Sequence, residues 1–407
     1  MTARPAALRF VFFVVLIDLL GIGLLIPVGP RLVTELTGGD ESNAAPMVGW
    51  LGAVYSAMVF LCAPLLGAWS DRFGRRPVLL LSMLGTGLDY FAMALAPSIT
   101  WLFVTRIVNG LTGASVTTAA AYIADVTPPE KRAAGYGVFG AAASLGFVLG
   151  PLLGGYLGQI DVRLPFWIAG GLALLNALYG AFVMPESLPL ERRTKRAVGS
   201  PFAALAILRQ QTVVRRLALT LLFANMAQFM LHSTWVLYTG HRYGWDSAAV
   251  GWSMFAVGVS GALVQGGLAR TLVPRLGERR ALFAGLSLAI VAYCGYGSAP
   301  VGWMIYVAIA IAALGGITMP ACQSMITKSV RPDQQGLVQG ALTSVQSLAT
   351  IAGYPLGAYV FRASIQTTDT SLPPGTVYYV SAALCTIGLL LATRNLRASI
   401  PEPESRP

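Results

Sequence analysis

The sequence contains few charged residues. Charged side chains make up 11% of its 407 residues, whereas hydrophobic side chains make up 55% and the mean hydropathy is +0.66. Soluble domains carry roughly 25% charged residues. This deficit excludes an ordinary soluble protein. The net charge of +11 does not indicate a nucleic-acid partner either, because the cations gather in particular loops between apolar runs.

The sequence is also poor in residues that bind metals or catalyse reactions. It has two histidines, both far from any acidic pair, which argues against a metal-dependent membrane enzyme. Its four cysteines lie inside apolar runs without metal-ligand spacing, and such cysteines usually serve helix packing. No phosphate-binding loop occurs, so ATP-driven transport is not expected. We therefore expect no enzyme activity, no metal site and no cofactor.

Long apolar runs dominate the rest of the chain. A run of about 20 apolar residues crosses a hydrocarbon core of roughly 30 Å as a helix, and the helix is required because lipid cannot bond to backbone amides. Twelve runs occur, at residues 9–36, 46–68, 77–97, 100–123, 133–158, 164–184, 217–240, 247–270, 280–298, 302–327, 336–361 and 376–395. The first run contains Asp18 and continues through Pro27, so we expect a membrane span rather than a cleaved signal peptide. The sequence predicts an all-α integral membrane protein with about twelve transmembrane helices.

The basic residues predict the orientation of these spans. With the N-terminus in the cytoplasm, 23 of the 28 lysines and arginines fall at cytoplasmic ends and four fall at outer ends. This distribution follows the positive-inside rule. We therefore predict a multi-pass protein of the inner (plasma) membrane with both termini in the cytoplasm and the lipid bilayer as its surroundings.

The chain repeats at half its length. At an offset of 203 residues, Arg72-Phe-Gly74 recurs as Arg275-Leu-Gly277, and Pro129-Glu130 recurs as Pro332-Asp333. Two repeated bundles are typical of transporters that bind substrate near the midplane, whereas a receptor has no need of them. We predict a six-helix bundle at residues 1–184, a cytoplasmic linker at 185–216 and a second six-helix bundle at 217–407.

A charged loop between the second and third runs, Gly67–Pro77, is the most distinctive segment. Together with Asp125, at the inner end of the fourth run, it supplies the candidate cytoplasmic gate residues Gly67, Asp71, Arg72, Gly74, Arg75, Arg76 and Asp125. The loop is either an anchor at the anionic inner surface or a latch whose charges have two discrete arrangements. Asp125 is interpreted as structural or as part of this latch.

Charged residues also lie inside the spans of the first half. Asp18, Asp89 and Arg106 are placed near mid-membrane, where an ionised group is costly and usually functional. They form either a static salt bridge or proton-coupling sites in which the fixed charge of Arg106 adjusts the acidity of an aspartate. We prefer the second interpretation, and we expect substrate to bind near Asp89 and Asn109.

The spans of the second half contain no carboxylate, so its candidate substrate-binding residues are neutral. They are Asn225, Gln228, His232, Trp235, Gln265 and Gln346. The spacing of the first four places them on roughly one helical face. Such residues line a polar cavity or simply join neighbouring helices.

The fifth run carries a stripe of small residues. Gly146, Gly150 and Gly154 recur at every fourth position, and Pro151 bends the same helix. The stripe serves close helix packing, and the same surface is also a candidate for conformational switching.

Several of these segments resemble a known family. The loop Gly67–Pro77 resembles the loop between the second and third helices of the major facilitator superfamily, and residues 102–113 resemble its fourth-helix motif. Residues 146–155 resemble the fifth-helix motif of drug/proton antiporters. Segments of both halves also resemble the corresponding segments of tetracycline/proton antiporters. They are residues 18–30, 70–82, 88–90, 110–114 and 122–125 in the first half and residues 276–281 and 315–321 in the second.

This resemblance implies the major facilitator fold and a monomer whose partners are protons and a small-molecule substrate. It implies export of an amphipathic drug-like compound, tetracycline-type or multidrug, in exchange for protons by alternating access. The alternative is a proton-coupled importer or a facilitator for a small metabolite. The resemblance also supports a latch formed by Asp71 and the arginines of the loop, and it implies that the fifth helix takes part in switching.

The second half departs from the family pattern. Gly261 and Ala289 stand where tetracycline antiporters carry a membrane histidine and aspartate, which shifts the expected proton site towards Asp18 and Asp89. Pro274 stands where a counterpart of Asp71 would fall. We therefore expect the gating and coupling carboxylates to lie in the first half.

Overall fold

The structure, a computed structural model, describes residues 5–113, 115–127, 132–193, 202–331, 334–366 and 372–397. The two chain termini, which we predict to be cytoplasmic, lie outside the described residues. Within the described ranges the chain forms helices joined by turns, and no strand occurs there. The predicted all-α fold class is confirmed.

The first half contains eight helices within the described ranges. They are α1 Pro5–Leu25, α2 Gly29–Leu36, α3 Glu41–Phe73, α4 Arg75–Ala94, α5 Ile99–Thr112, α6 Ser115–Val126, α7 Arg132–Ile160 and α8 Leu164–Val183. The break between α1 and α2 falls at Pro27, which cannot donate a helical hydrogen bond. The start of α3 is capped by Asp40, whose carboxylate accepts a hydrogen bond from the backbone N–H of Ser42 at 2.8 Å.

The rest of the described chain contains nine further α-helices, one π-helical segment and two short 3₁₀ helices at Leu190–Arg192 and Ala203–Ala206. The α-helices and the π-helical segment are α9 Ile207–Gln210, α10 Thr212–Tyr243, α11 Ser247–Leu263, the π-helical segment Val264–Leu268, α12 Ala269–Leu276, α13 Glu278–Ser298, α14 Gly302–Gly315, α15 Thr318–Lys328, α16 Gln335–Gln366 and α17 Thr376–Arg397. Each of the twelve apolar runs predicted from the sequence is therefore occupied by helix.

Among the described residues, ten helical stretches are long and apolar enough to cross a membrane by length and composition, and three of them, Phe12–Leu36, Ser247–Leu276 and Gly302–Lys328, join consecutive helices. Two predicted runs differ from the others. The run at 100–123 is divided into α5 and α6, which have 14 and 12 residues. The run at 336–361 lies in α16, a continuous helix of 32 residues that carries polar side chains such as Gln339 and Gln346.

Contacts divide the chain into two compact units. Unit 1 comprises residues 1–201 and 235–259, and unit 2 comprises 202–234 and 260–407. α10 thus contributes to both units, and most of α11 belongs to unit 1 because it packs against α7. The bundle boundaries at 184 and 217 follow chain order rather than these contacts, and they stay a prediction.

Each unit has its own buried core. In unit 1, α1 packs against α7 and α8, α4 packs against α8, and α3 packs against α5, with Leu24, Leu32 and Phe166 fully buried. In unit 2, α13 packs against α14, α15 and α17, with Leu282 and Leu286 in the core. These cores hold the polar side chains described next in fixed positions.

Candidate transport site

The centre of unit 1 holds a buried carboxylate. α4 positions Asp89 with 4% of its surface exposed, and α5 presents Arg106 and Asn109 one turn apart. A guanidinium nitrogen of Arg106 (Nη2) donates to Oδ2 of Asp89 at 3.0 Å, and the Asn109 amide donates to the same oxygen. The other oxygen, Oδ1, is buried and has no hydrogen-bond partner among the described residues. The carboxylate thus has one fully used oxygen and one that can still accept a hydrogen bond.

Arg106 is held in place from three sides. Its guanidinium lies over the ring of Tyr55 on α3, 5.6 Å from the ring centroid, and it contacts the sulfur of Met93. α3 can come this close to α5 because of Gly110, where an added Cβ would stand 3.2 Å from the carbonyl oxygen of Tyr55. The close approach of α3 and α5 therefore fixes the cation beside Asp89.

Asp18 lies in the same region of unit 1. It is 8% exposed and borders a small cavity between α1, α4, α6 and α7. Tyr90, which follows Asp89, lies against α1, since an added Cβ at Gly21 would stand 3.6 Å from its ring. Tyr55 and Tyr90 are both within the electrostatic reach of Asp18, Asp89 and Arg106. The structure thus brings the three predicted membrane charges around two tyrosines.

The predicted gate residues meet at Arg75, the first residue of α4. Its guanidinium forms an ion pair with Asp71 at 2.6 Å, and its Nε donates to Asp125 at 3.1 Å. It also donates to the hydroxyl of Ser70 at 3.0 Å. The turn before it requires glycine, because Gly74 has a φ of +107°. One arginine therefore joins both predicted gate carboxylates.

The other residues of the loop have different surroundings. The guanidinium of Arg72 lies over the ring of Phe73, 5.2 Å from its centroid. Arg76 donates to the backbone carbonyl of Ala181 at the end of α8. A Cβ at Gly67 would meet nothing within 4 Å, so packing does not require glycine there.

Glu186 belongs to this network and was not among the predicted site residues. Its Oε1 accepts from the backbone N–H of Arg75 at 2.9 Å and of Leu188 at 3.1 Å, and its Oε2 pairs with Arg193 at 3.7 Å. A carboxylate at the start of a helix is favourable because it satisfies an N–H and the positive end of the helix dipole. Gly74 has no side chain that could cap the start of α4, so another group must bind the first backbone N–H of this helix. The glycine at this position is the signal in the sequence that could have indicated a partner such as Glu186.

Unit 2 contains a counterpart of the gate pair with its charges exchanged. At the 203-residue offset, Glu278 takes the place of Arg75 and Lys328 takes the place of Asp125. The Lys328 ammonium donates to Glu278 at 2.6 Å, and Gly277 before it has a φ of +77°. The counterpart loop of the second half therefore also carries a paired carboxylate, and the expectation that the gating carboxylates lie in the first half stays a prediction. It was based on the position of Asp71 alone.

The glycine stripe of α7 lies directly on the backbone of α1. An added Cβ at Gly146 would stand 2.8 Å from the carbonyl oxygen of Leu16, and one at Gly150 would stand 2.7 Å from Cα of Gly23. Gly154 meets the same helix one turn further on, so the whole stripe is in contact with α1. This geometry supports the packing interpretation, and the predicted role in switching is not tested by it.

α7 is also packed closely on α11. An added Cβ at Gly251 would stand 2.6 Å from the carbonyl oxygen of Pro151, and the backbone of Ser247 lies against Gly155. α7 therefore has close backbone contacts on two faces, and a change in its position requires movement of both neighbours.

Unit 2 contains a short hydrogen-bonded chain of side chains. The hydroxyl of Tyr293 on α13 donates to Oε1 of Gln228 at 3.2 Å, and Nε2 of Gln228 lies 2.9 Å from Nε2 of His232. Gln228 and His232 are exposed on α10, whereas Tyr293 is buried behind them. Gln228 and His232 were predicted as substrate-binding residues. Tyr293 was not, although a tyrosine inside an apolar span usually needs a hydrogen-bond partner.

The remaining predicted residues do not join this chain. The side chains of Asn225, Gln265 and Gln346 make no hydrogen bond to other described residues. Trp235 is buried, and its indole N–H donates to the hydroxyl of Ser253 at 3.0 Å within unit 1. Trp235 thus differs from Gln228 and His232 on the same helix in being buried, and its predicted role in substrate binding stays a prediction. No cluster of three or more metal-ligating side chains occurs in the part of the chain that the structure describes.

Known proteins similar to this chain include tetracycline resistance proteins and transporters. The tetracycline resistance protein of class C from Escherichia coli is 38% identical over 380 residues, which cover 93% of this chain and 94% of that protein. The class D protein from Salmonella ordonez is 38% identical over 400 residues, with 96% of each covered. The crystal structure of the human organic anion transporter MFSD10 (TETRAN) has a TM-score of 0.72 and 27% identity, covering 96% of this chain and 100% of that chain.

The family assignment rests on the whole chain rather than on single motifs. The sequence model of the Major Facilitator Superfamily matches residues 11–354 and 272–407. The helical architecture and the ten apolar spans agree with that match. The chain is a multi-pass membrane protein and belongs to the Major Facilitator Superfamily.

Proposed function

We propose that the protein exports an amphipathic drug-like compound of the tetracycline type across the inner membrane in exchange for protons, by alternating access. The names of its relatives support the substrate class, and the superfamily supports transport. The observation that carries the proposal is the half-used carboxylate of Asp89, buried inside a predicted membrane span.

Asp89 can make proton and substrate compete for one atom. Arg106 and Asn109 both donate to Oδ2 and stabilise the ionised carboxylate, while Oδ1 lacks a partner among the described residues. A buried acceptor without a donor is unfavourable. Either a proton or a donor group of the substrate relieves that cost at Oδ1. Because both need the same oxygen, binding one displaces the other, which is the requirement for exchange.

The proposed cycle follows from this competition. From the cytoplasm, substrate donates to ionised Asp89 close to Asn109. After the protein opens outwards, a proton adds to Oδ1 of Asp89 and the substrate leaves. The protein then opens inwards and the proton departs to the cytoplasm, which restores the ionised carboxylate beside Arg106. Asp18, in the same region, is proposed as a second proton-coupling group.

The gate and the glycine stripe are proposed to link these steps to movement. We propose that the loop residues around Arg75, with Asp125, form a cytoplasmic gate, since one guanidinium bound to two carboxylates can exchange partners. The stripe from Gly146 to Gly154, with Pro151, would transmit the movement because α7 is in close contact with both α1 and α11. Asn225, Gln228, His232, Gln265 and Gln346 are proposed to line the substrate path in unit 2. We further propose a monomer with cytoplasmic termini.

The test uses inverted membrane vesicles with an imposed pH gradient and a panel of compounds that includes tetracycline. Drug uptake and proton release are recorded together. Asp89→Asn removes the protonatable oxygen and is expected to abolish uphill uptake. Glu35→Gln is the matched control, because it removes a half-exposed carboxylate whose partner is Arg163 at 3.3 Å.

Two results would contradict the proposal. Full proton-driven uptake by Asp89→Asn would remove Asp89 from the coupling mechanism. A response to a nutrient with none to any drug would instead favour proton-coupled import.

A further inference from the structure

In the structure Oε1 of Gln228 faces Tyr293 and its Nε2 faces His232, and this arrangement gives the chain Tyr293–Gln228–His232 one direction of hydrogen-bond donation. A phenol beside an amide oxygen donates its proton, so Tyr293 occupies the acceptor end of the Gln228 side chain. The amide nitrogen of Gln228 then faces His232 at 2.9 Å. That nitrogen carries two hydrogens and has no free electron pair for hydrogen bonding, so it can only donate.

This direction determines the state of the imidazole. The Nε2 atom of His232 must accept the hydrogen bond from Gln228, and a ring nitrogen that accepts carries no hydrogen. With the amide of Gln228 in this orientation, the ring is neutral and holds its single proton on Nδ1. A protonated ring would place two N–H groups against each other. Nδ1 has no hydrogen-bond partner among the described residues, so this donor is still unused.

Neighbouring aromatic rings hold the imidazole in place. The ring of Phe229 lies edge-on to His232, with centroids 5.7 Å apart, and it also contacts Tyr354 at 5.9 Å. Gly353 lets α16 come close to α10 here, since it has no side chain. An added Cβ at this position would stand 2.9 Å from the carbonyl oxygen of Met226. The donor is thus oriented before any ligand arrives, which reduces the entropy cost of binding.

We propose that the Tyr293–Gln228–His232 chain is a substrate subsite that binds an oxygen acceptor through Nδ1–H of neutral His232. Carbonyl, enolate and phenolate oxygens fit this donor, and the rings of Phe229 and Tyr354 suit an aromatic or apolar part of the same compound. A cationic amine does not fit, because the subsite offers a donor and no negative charge. This subsite deepens the proposed function and depends on it. Asp89 binds a donor group of the substrate, whereas His232 binds an acceptor group.

The first test measures the imidazole directly and needs no transport. The chain has two histidines, so His241→Gln leaves His232 as the single imidazole. With ¹⁵N-labelled histidine in lipid bilayers, nuclear magnetic resonance at neutral pH is expected to show hydrogen on Nδ1 and none on Nε2. Tyr293→Phe removes the group that orients Gln228 and is expected to produce a mixture of tautomers. A ring protonated on Nε2, or on both nitrogens, in the His241→Gln protein would overturn the subsite.

The second test measures recognition, with tetracycline as the probe because it carries carbonyl and enol oxygens. Tetracycline is expected to shift the Nδ1 resonance of His232. His232→Leu and Tyr293→Phe are expected to weaken its binding by about 2- to 10-fold, the range of one neutral hydrogen bond. His232→Asn, which keeps an amide donor near the Nδ1 position, is expected to bind more tightly than His232→Leu. Tyr306→Phe, which removes a hydroxyl from another helix of unit 2, is the control and should bind as the unmodified protein does.

The outcomes separate this subsite from the proposed function. If tetracycline binding is unchanged in His232→Leu and the resonance does not shift, the subsite is wrong, even when proton-driven uptake still depends on Asp89. If vesicles show no proton-driven uptake but the Nδ1–H tautomer and the tetracycline shift are both observed, the subsite stands and the exporter proposal fails.

Discussion

Replacing Gly150 with alanine should force α7 away from α1. The new Cβ would stand 2.7 Å from Cα of Gly23 and 2.8 Å from the carbonyl oxygen of Leu20. Ordinary carbon contacts are about 3.5–4.0 Å, so the two helices would have to separate by nearly 1 Å. Both obstructing atoms belong to the backbone and cannot rotate aside. Overpacking of this kind costs about 1–3 kcal/mol.

Gly140→Ala is the matched control, because Gly140 lies on the same helix and an added Cβ there would meet nothing within 4 Å. Both substitutions gain about 0.5–1 kcal/mol from the higher helix propensity of alanine. The difference between the two variants therefore isolates the clash, and we expect Gly150→Ala to be less stable by about 1–3 kcal/mol. Unfolding in mixed micelles with increasing sodium dodecyl sulfate measures this difference. Equal stability of the two variants would show that α1 and α7 are not in backbone contact at Gly150.

Two further predictions concern the charged pairs. The lysine in Arg75→Lys cannot reproduce a guanidinium that binds two carboxylates through separate N–H groups. We therefore expect turnover in vesicles to fall about tenfold at unchanged drug affinity. Unchanged turnover would show that Arg75 is not part of the gate. Glu278→Lys alone should lower the stability of unit 2, because the new positive charge at position 278 would lie beside Lys328. Adding Lys328→Glu should restore most of the lost stability. Since Lys328 is largely exposed, the coupling in a double-mutant cycle should be at most about 1 kcal/mol, and no coupling at all would contradict the pairing.

Much of the fold could be predicted from the sequence, because in a membrane a long apolar run has almost no alternative to a helix. Helix occupies each of the twelve predicted runs apart from short breaks within some of them. The breaks near Pro27 and Gly113 were not predicted. Apolar composition continues across both, so hydropathy alone does not reveal them.

The candidate site was predictable where charge stands out against an apolar background. Asp89 and Arg106 could be named for that reason, the polar Asn109 was named beside them, and the structure brings the three together. Partners that are distant in the chain could not be named. Glu186 is 111 residues from Arg75, and Tyr293 is 65 residues from Gln228. Such pairs are decided by the packing of whole helices, which the pattern of one sequence does not specify.

The exchanged charges of the two gate-type pairs have a consequence for assembly. The two halves of the chain share a repeated pattern, so equivalent helices could in principle pair with the wrong partner during folding. A misassembly that joined α4 to α15 would place Arg75 beside Lys328, and its reciprocal would place Glu278 beside Asp125. Like charges in contact disfavour both products. We therefore expect the exchanged charges to disfavour the pairing of helices from one half with the equivalent helices of the other.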